Sequence, residues 1–475
     1  MVSLLGVACL FDLARRNSLR SRQFWKIAHS PVRIVDSITF KALKDLPRKG
    51  LPKRRKKFLG MKTFLLWFGL AAAVWAEPSK SLGEAWKAGL INMAGGAGMS
   101  SSLCVVDDQG QMVLEWDSQR LLVPASTLKL ATAAGIIQQS GQTQQLVTRL
   151  QMVGQRVRLV GDYDPELTSG DIENLALELI PKIKGPIQLE VTPPDPEPYP
   201  PGWSWDDLSS SFAPPVSALV FDHGLVPLKL TAGTQLQVKG PPWAPSSAMN
   251  FLPRFGEFEM LVIPGWDNWV MAGQLVPGTE EAVTVPMIRP ELAAARLLTE
   301  VFKRNGVAVE AIPGGPGQGG TALEASHRSR AVQQMLVQGL AESDNRVLEC
   351  LYRRFRRSLP RVWAGQTQRV VDGCGLSRYN LVSTRQLVQL FQSEPTLVDY
   401  LPRAGQDGTM KRRPVEGQLR AKTGTMSGVS GLVGEFTAVS GKRYRFALLL
   451  NGFVGAAAPF KKAEDDLVAL LVKNL

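Results

Sequence analysis

Pro124-Ala125-Ser126-Thr127-Leu128-Lys129 opens a run that continues Leu130-Ala131-Thr132-Ala133-Ala134-Gly135-Ile136-Ile137. Apolar and alanine-rich residues at 128–137, with Gly135 the one interior breaker and Gly141 beyond the end, predict a buried helix that starts at Ser126. Ser126 and Lys129 stand three apart, so they share a helix face with their side chains adjacent. The lysine can then take the serine proton if it is neutral, and desolvation together with a second nearby cation favours that state. The first helical turn also presents free backbone N–H groups to a developing oxyanion. Alone, a Ser-x-x-Lys is weak, because a capped helix start with an exposed lysine has the same spacing.

Two further triplets give it weight. Ser343-Asp344-Asn345 lies inside a helical pattern at 331–356, where a loop enters or interrupts the helix. A hydroxyl there can relay a proton between the base and a leaving amine, and the Asn345 amide can hold a substrate peptide carbonyl. Lys422-Thr423-Gly424 ends a strand; Lys422, with Thr423 and Thr425, can grip a terminal carboxylate while Gly424 lets a substrate backbone lie flush. Taken singly, the first triplet reads equally as a helix cap and the second as a polar edge strand. In this order the three match the set shared by β-lactamases and penicillin-binding proteins.

Outward from these motifs, 101–106 and 112–116 read as a hairpin around Asp108-Gln109-Gly110, and 384–392 as a helix. Strands at 418–425, 431–439 and 444–451, the last two joined by Ser440-Gly441, lead to an amphipathic helix at 459–472. Between 146 and 324 the texture changes to short alternating strands broken by stretches such as Thr192-Pro193-Pro194-Asp195-Pro196-Glu197-Pro198, ending near a Gly/Pro loop at 313–320. The predicted class is α+β: a catalytic domain of antiparallel sheet flanked by helices, formed by 77–145 and 325–475, with an inserted β-rich accessory region at 146–324.

Charge separates the leader from this body. The first 60 residues hold 15 of the 55 Lys/Arg and 3 of the 42 Asp/Glu, which leaves 40 against 39 over the other 415. A body so nearly neutral has no overall attraction for phosphate, and nucleic-acid binding is not expected. Met61-Lys62 opens an apolar run at 64–75 that closes on Val74-Trp75-Ala76, the layout of a signal peptide over 61–76 cleaved after Ala76. The run is too short for a stable transmembrane anchor, so export to the periplasm or cell envelope is expected. Residues 1–60, with Lys53-Arg54-Arg55-Lys56-Lys57, read as an extended positive n-region or, in preference, as the product of a start codon assigned too far upstream. Cys9 falls in the leader, and Cys104, Cys350 and Cys374 make no disulfide framework. His29, His223 and His327 lie far apart without ligand spacing, so neither zinc nor a Ser-His-Asp triad is supported, and no cofactor is expected.

The chain resembles the D-alanyl-D-alanine carboxypeptidase/endopeptidase family typified by penicillin-binding protein 4, over nearly its whole mature length. The likeness is carried by Tyr199-Pro200-Pro201-Gly202-Trp203-Ser204-Trp205-Asp206-Asp207, Ala213-Pro214-Pro215-Val216-Ser217-Ala218-Leu219, Asp372-Gly373-Cys374-Gly375-Leu376-Ser377-Arg378 and Ala421-Lys422-Thr423-Gly424-Thr425-Met426-Ser427-Gly428-Val429. It implies a penicillin-recognising transpeptidase-type domain with domains inserted between the first two motifs. It implies an acyl-enzyme on Ser126 formed from peptidoglycan peptides or β-lactam antibiotics, with the carbonyl oxygen between the backbone N–H groups of Ser126 and Thr425. By motif position, Asp207 and Arg378 fall to the ammonium and carboxylate of the substrate's diamino-acid side chain, with Phe212 and Met426 as apolar walls. Two departures stand out. Cys374 replaces the usual serine, as a small buried residue or an oxidisable thiol, and Gly161-Asp162-Tyr163-Asp164-Pro165 replaces a glycine-rich turn. Neither is expected to touch the three motifs.

Hydrolysis of a D-Ala-D-Ala bond and of a peptide cross-link use the same acylation chemistry, so the sequence does not choose between them. A β-lactamase is the nearest enzymatic rival, but no residue presents itself as the base for a deacylating water. A non-catalytic cell-wall binding protein is the rival of another class, and the presence of Ser126, Lys129, Ser343, Asn345 and Lys422 together argues against it.

Overall fold

The structure, a computed structural model, describes residues 78–475 apart from 94, 142, 233–235, 245–248, 254–258, 263–268, 274–277, 279, 312–322 and 415–417. The leader, with its signal-peptide reading, Cys9 and His29, lies outside the described residues, as does the 313–320 loop.

Helix α1 (Pro78–Ile91) leads into the hairpin β1 (Ser100–Asp107) and β2 (Met112–Trp116), and a 3-10 turn, Ala125–Leu128, runs directly into α2 (Lys129–Ile137). A second body follows: β3 (Gln145–Val153), β4 (Arg156–Val160), α3 (Ser169–Leu179), β5 (Ile187–Val191), β6 (Leu225–Ala232), β7 (Leu236–Lys239), β8 (Met249–Pro253), β9 (Glu259–Val262), β10 (Trp269–Gly273), β11 (Glu280–Pro286), α4 (Pro290–Arg304), β12 (Val309–Ala311) and β13 (Leu323–Ala331). The chain then returns through α5 (Val332–Glu342), α6 (Asn345–Arg354), α7 (Thr384–Ser393), β14 (Leu419–Met426), β15 (Val429–Thr437), β16 (Arg443–Asn451) and α8 (Ala458–Asn474).

The principal sheet has the order β14-β15-β16-β1-β2, antiparallel throughout, and joins the two ends of the described chain: Ser100 pairs with Asn451 and Asp107 with Tyr444. Its inner strands are covered on both faces, which is why Phe446-Ala447-Leu448-Leu449-Leu450 is an unbroken apolar run without alternation. The period of two still sorts them. Ala447 and Leu449 pack with Leu128, Leu130, Leu336 and Phe391 beneath α2, α5 and α7. Phe446, Leu448 and Leu450 pack with Leu90, Phe460 and Leu467 beneath α1 and α8. Strand β14 is an edge: apart from β15 its only backbone bridge among the described residues is Arg403 with Arg420.

The second body is built on a five-stranded sheet, β12-β5-β4-β3-β13, with two three-stranded sheets beside it. Its own core draws on Leu150, Leu159, Leu175, Leu228, Leu298 and Phe302. Two helices here, α3 and α4, stand in a stretch that the sequence marks as β-rich. Both carry start signals: a reciprocal cap between Thr168 and Asp171 opens α3, and Pro290 sits in the first turn of α4. Helix α4 buries Ala294, Leu297, Leu298 and Val301 on one stripe, each such leucine or valine contributing about 1.5–3 kcal/mol.

Two other elements differ in detail from expectation. The helix expected from Ser126 begins with a 3-10 turn, and the α-helix proper starts at Lys129. The helical pattern at 331–356 is two helices, because Ser343 takes a left-handed conformation (φ 61°, ψ 35°) and Asp344 caps α6 by accepting from the Val347 N–H at 3.1 Å. No helix among the described residues is long and apolar enough to cross a membrane.

Candidate active site

The three motifs converge between the start of α2, the α5–α6 break and the edge strand β14. The 3-10 turn presses against β14, and Gly424 makes that approach possible: a Cβ there would lie 2.8 Å from the Pro124 carbonyl oxygen and 3.1 Å from the Thr127 nitrogen. This corrects the reason given for Gly424 on sequence. The space its missing side chain leaves is filled by the turn that carries Ser126. Ala125, immediately before the serine, holds a positive φ of 48°, a conformation costly to a residue with a Cβ. A loop backbone passes equally close on the other side, where a Cβ on Gly375 (φ 80°) would meet the Ala125 carbonyl oxygen at 2.0 Å.

Lys129 is fully buried, and its Nζ lies 3.0 Å from Ser126 Oγ, 2.6 Å from Asn345 Oδ1 and 2.5 Å from the Cys374 carbonyl oxygen. Lys422 is equally buried; its Nζ donates to Ser343 Oγ at 2.8 Å and to the Thr423 carbonyl at 2.9 Å. Ser343 is therefore a partner of Lys422, while Asn345 spans the cleft, its Oδ1 on Lys129 and its Nδ2 donating to the Phe212 carbonyl at 2.9 Å. Thr423 Oγ1 meets Thr409 Oγ1 at 3.0 Å, and Thr425 is exposed at the mouth.

Burial drives both amines below the ordinary lysine range. For Lys422 the proximity of Lys129 adds to burial, whereas for Lys129 burial is opposed by Cys374, Asp372, Asp344 and Glu349. A neutral Lys129 has two N–H bonds, which Asn345 and Cys374 accept, leaving its lone pair for the Ser126 hydroxyl.

The outlying candidates gather along one flank. Arg378 is exposed and donates to the Ser427 carbonyl at 3.1 Å, beside Met426 at the end of β14. Asp207 is half-buried; burial raises its carboxyl above the usual range, and Arg378 pulls it back down. Phe212 is exposed, with its carbonyl on Asn345. The 199–207 segment is pinned to the 372–379 loop by Trp203 Nε1 on Asp372 Oδ2 (2.8 Å) and Ser377 Oγ on the Pro201 carbonyl (2.6 Å).

Sequence reasoning missed Thr409, and from the 372–378 stretch it drew Arg378 but not the main-chain contact to Lys129. Position 374 nevertheless meets the first motif through its main chain, because its carbonyl holds Lys129. The contact is made by main chain, so no side-chain pattern announces it. The thiol is fully buried and its pKa is raised well above the ordinary cysteine range by desolvation, the condition of an inert thiol. The signal that was available is Asp372: one carboxylate accepts from the Gly375 and Ser377 amides, Asn380 Nδ2 and Trp203 Nε1, at 2.6–2.8 Å, and so shapes the whole loop.

An edge strand with a buried amine facing a helix start with a serine and a second buried amine defines an active-site-serine hydrolase of the serine transpeptidase/β-lactamase-like fold. The family profile described as D-Ala-D-Ala carboxypeptidase 3 (S13) matches residues 97–474, and the chain belongs to that family. It is a serine hydrolase. Among its relatives, the D-alanyl-D-alanine carboxypeptidase DacB of Haemophilus influenzae is 24% identical over 422 residues, 76% of this chain and 87% of that protein. A D-alanyl-D-alanine carboxypeptidase of an Actinomadura species is 28% identical over 442 residues, 78% and 81% of the two chains. The crystal structure of penicillin binding protein 4 from Haemophilus influenzae has the same fold, with a TM-score of 0.71 at 21% identity, covering 82% of this chain and 99% of that one.

Proposed function

We propose that Ser126 is the nucleophile and Lys129 its general base, in a carboxypeptidase or endopeptidase that acts on peptidoglycan stem peptides and cross-links. The observation that carries this reading is the placement of Lys129 Nζ, 3.0 Å from Ser126 Oγ with its N–H bonds taken by Asn345 and Cys374. Ser126 Oγ attacks the carbonyl carbon of the D-Ala-D-Ala bond as its proton passes to Lys129. The backbone N–H groups of Ser126 and Thr425 receive the developing oxyanion. As the C–N bond breaks, the leaving amine takes a proton relayed through Ser343, whose hydroxyl is held by Lys422. Water then adds to the acyl-enzyme and releases the shortened peptide.

Lys422, Thr423 and Thr425 bind the terminal carboxylate. Asp207 and Arg378, with Phe212 and Met426, receive the charged diamino-acid side chain on the acyl side. β-Lactams acylate Ser126 in the same way and inhibit the enzyme. The division into a catalytic domain (77–145 and 325–475) and an inserted accessory region (146–324), export by the 61–76 segment and residence in the periplasm belong to the same reading.

Intact mass of the purified protein after exposure to a penicillin tests it, with Ser126→Ala in parallel. One adduct per chain, absent from the variant, is expected. An unmodified wild-type protein of intact fold would sink the assignment.

A further inference from the structure

The Cys374 carbonyl can aim Lys129 only if the loop beneath it is fixed, and the fixing runs to the second body. The Gly373 N–H donates to Glu349 Oε2 at 2.5 Å, and the Gly373 carbonyl accepts from Thr132 Oγ1 at 2.7 Å. Glu349 is completely buried on α6, and its other oxygen accepts from Arg353 Nε at 3.1 Å. Arg353, itself almost fully buried, reaches on to Asp195 Oδ1 at 3.3 Å and the Glu197 carbonyl at 3.0 Å. Asp195 accepts in turn from the Tyr163 hydroxyl at 2.8 Å. An unbroken chain of polar contacts thus leads from Lys129 to Asp195 and Tyr163, neither of which is in any of the three motifs.

We infer that Glu349 is a positioning residue of the acylation reaction: clamped by Arg353 against Asp195 and Glu197, it fixes the Gly373 amide and thereby the Cys374 carbonyl that aims the Lys129 amine at Ser126. This rests on the assignment of Ser126 and Lys129 made above. A carboxyl group left in a fully buried position is expensive unless it is fully bonded, and Glu349 is retained beside a second buried carboxylate, Asp372, whose repulsion adds to its desolvation. Burial, with Asp372 beside it, raises the Glu349 carboxyl to about 7, so the charge is carried above that value. The charge also reaches the base: Glu349 is among the groups that raise the proton affinity of Lys129 against burial.

The groups facing Glu349 are Arg353, Tyr352 and Cys350 from its own helix, Asp372 and Cys374 from the loop and Lys129 from α2; Lys129 faces Asp344 and Lys422 besides. Glu349→Gln keeps the shape and an acceptor for the Gly373 amide but removes the charge. Asp195→Asn loosens the far end of the clamp and touches no motif residue. The experiment is the second-order rate of acylation by a penicillin, followed by intact mass across pH, on the full chain with circular dichroism confirming the fold.

Glu349→Gln is expected to slow acylation roughly 10- to 100-fold and to move its acid limb to lower pH. Asp195→Asn is expected to slow it severalfold. Wild-type rates in the folded variants overturn the inference, as does a slowed Glu349→Gln whose acid limb stays in place. If Glu349→Gln does not fold, Asp195→Asn decides alone, and a wild-type rate there overturns it. A wild-type chain that takes no adduct at Ser126 instead removes the underlying assignment.

Discussion

Lys129 has its acceptors supplied by two different segments, Asn345 at the start of α6 and Cys374 in the loop that follows, so its direction is set independently of the serine it serves. Replacing it with alanine removes the proposed base and leaves Asn345 Oδ1 and the Cys374 carbonyl without their donor. Lys129→Ala is expected to acylate about 10²- to 10⁴-fold more slowly than wild type, measured as the rate of adduct formation with a penicillin. Because burial lowers the Lys129 pKa, the neutral amine is present well below the ordinary lysine value of 10.5. The sign follows: acylation falls as pH drops through the lowered pKa and the amine takes up a proton. A pH–rate profile with no acid limb in the accessible range would show that Lys129 does not act as base. At this scale the sequence singled out Ser126, Lys129 and Lys422, side chains that the structure gathers into one cleft. It was silent on Cys374, whose contribution is a carbonyl that any residue possesses.

The α5–α6 break is an element-scale device, since one left-handed residue, Ser343, and one capping residue, Asp344, turn a continuous helical pattern into two helices that offer Ser343 and Asn345 to opposite amines. Asp344→Ala removes the cap on Val347 and an ion pair with Arg346, and is expected to lower unfolding free energy in urea by about 1 kcal/mol. Gly375→Ala is a harsher test. Its positive φ and the 2.0 Å approach to the Ala125 carbonyl leave no room for a Cβ, so the loop must retreat from the serine turn. Acylation is expected to be lost at a temperature where circular dichroism still shows a folded protein; an unimpaired Gly375→Ala would refute the tight docking. The interruption at 343 was legible as a polar triplet in a helical pattern, but its geometry was not, because serine gives no sign of a left-handed backbone. Helices α3 and α4 were legible in principle, through Thr168 with Asp171 and through Pro290, and were hidden by the proline-rich and strand-like texture around them.

At the scale of the whole molecule, ion pairs tie together segments that lie far apart in the chain. His327 on β13 lies 3.5 Å from Asp164 and 3.3 Å from Asp171, which raise its proton affinity above that of an exposed histidine. A base with a raised folded-state pKa contributes its full stability below the unfolded value of 6.5 and loses it as pH rises through the folded one. The melting temperature of wild type is therefore expected to fall between about pH 6 and pH 8 by more than that of His327→Gln. Equal slopes for the two proteins would remove His327 from the account. None of this was legible in the chain, where His327 stands about 160 residues from its partners and an ion pair between distant segments leaves no periodicity to read.

The sheet that carries Lys422 has β1 between β16 and β2, so the strand made first waits for a neighbour about 350 residues further along. On a ribosome, β1 and its hairpin partner must remain an unfinished sheet until nearly the entire polypeptide has emerged. Closing so long a loop is slow, and it exposes an apolar strand edge meanwhile. A chain stopped after Met426 would hold all three motifs and still have no β15 or β16 to set β14 opposite the serine. The site is thus the last part of the sheet to be assembled, because Lys422 cannot be set opposite Ser126 until β15 and β16 have formed.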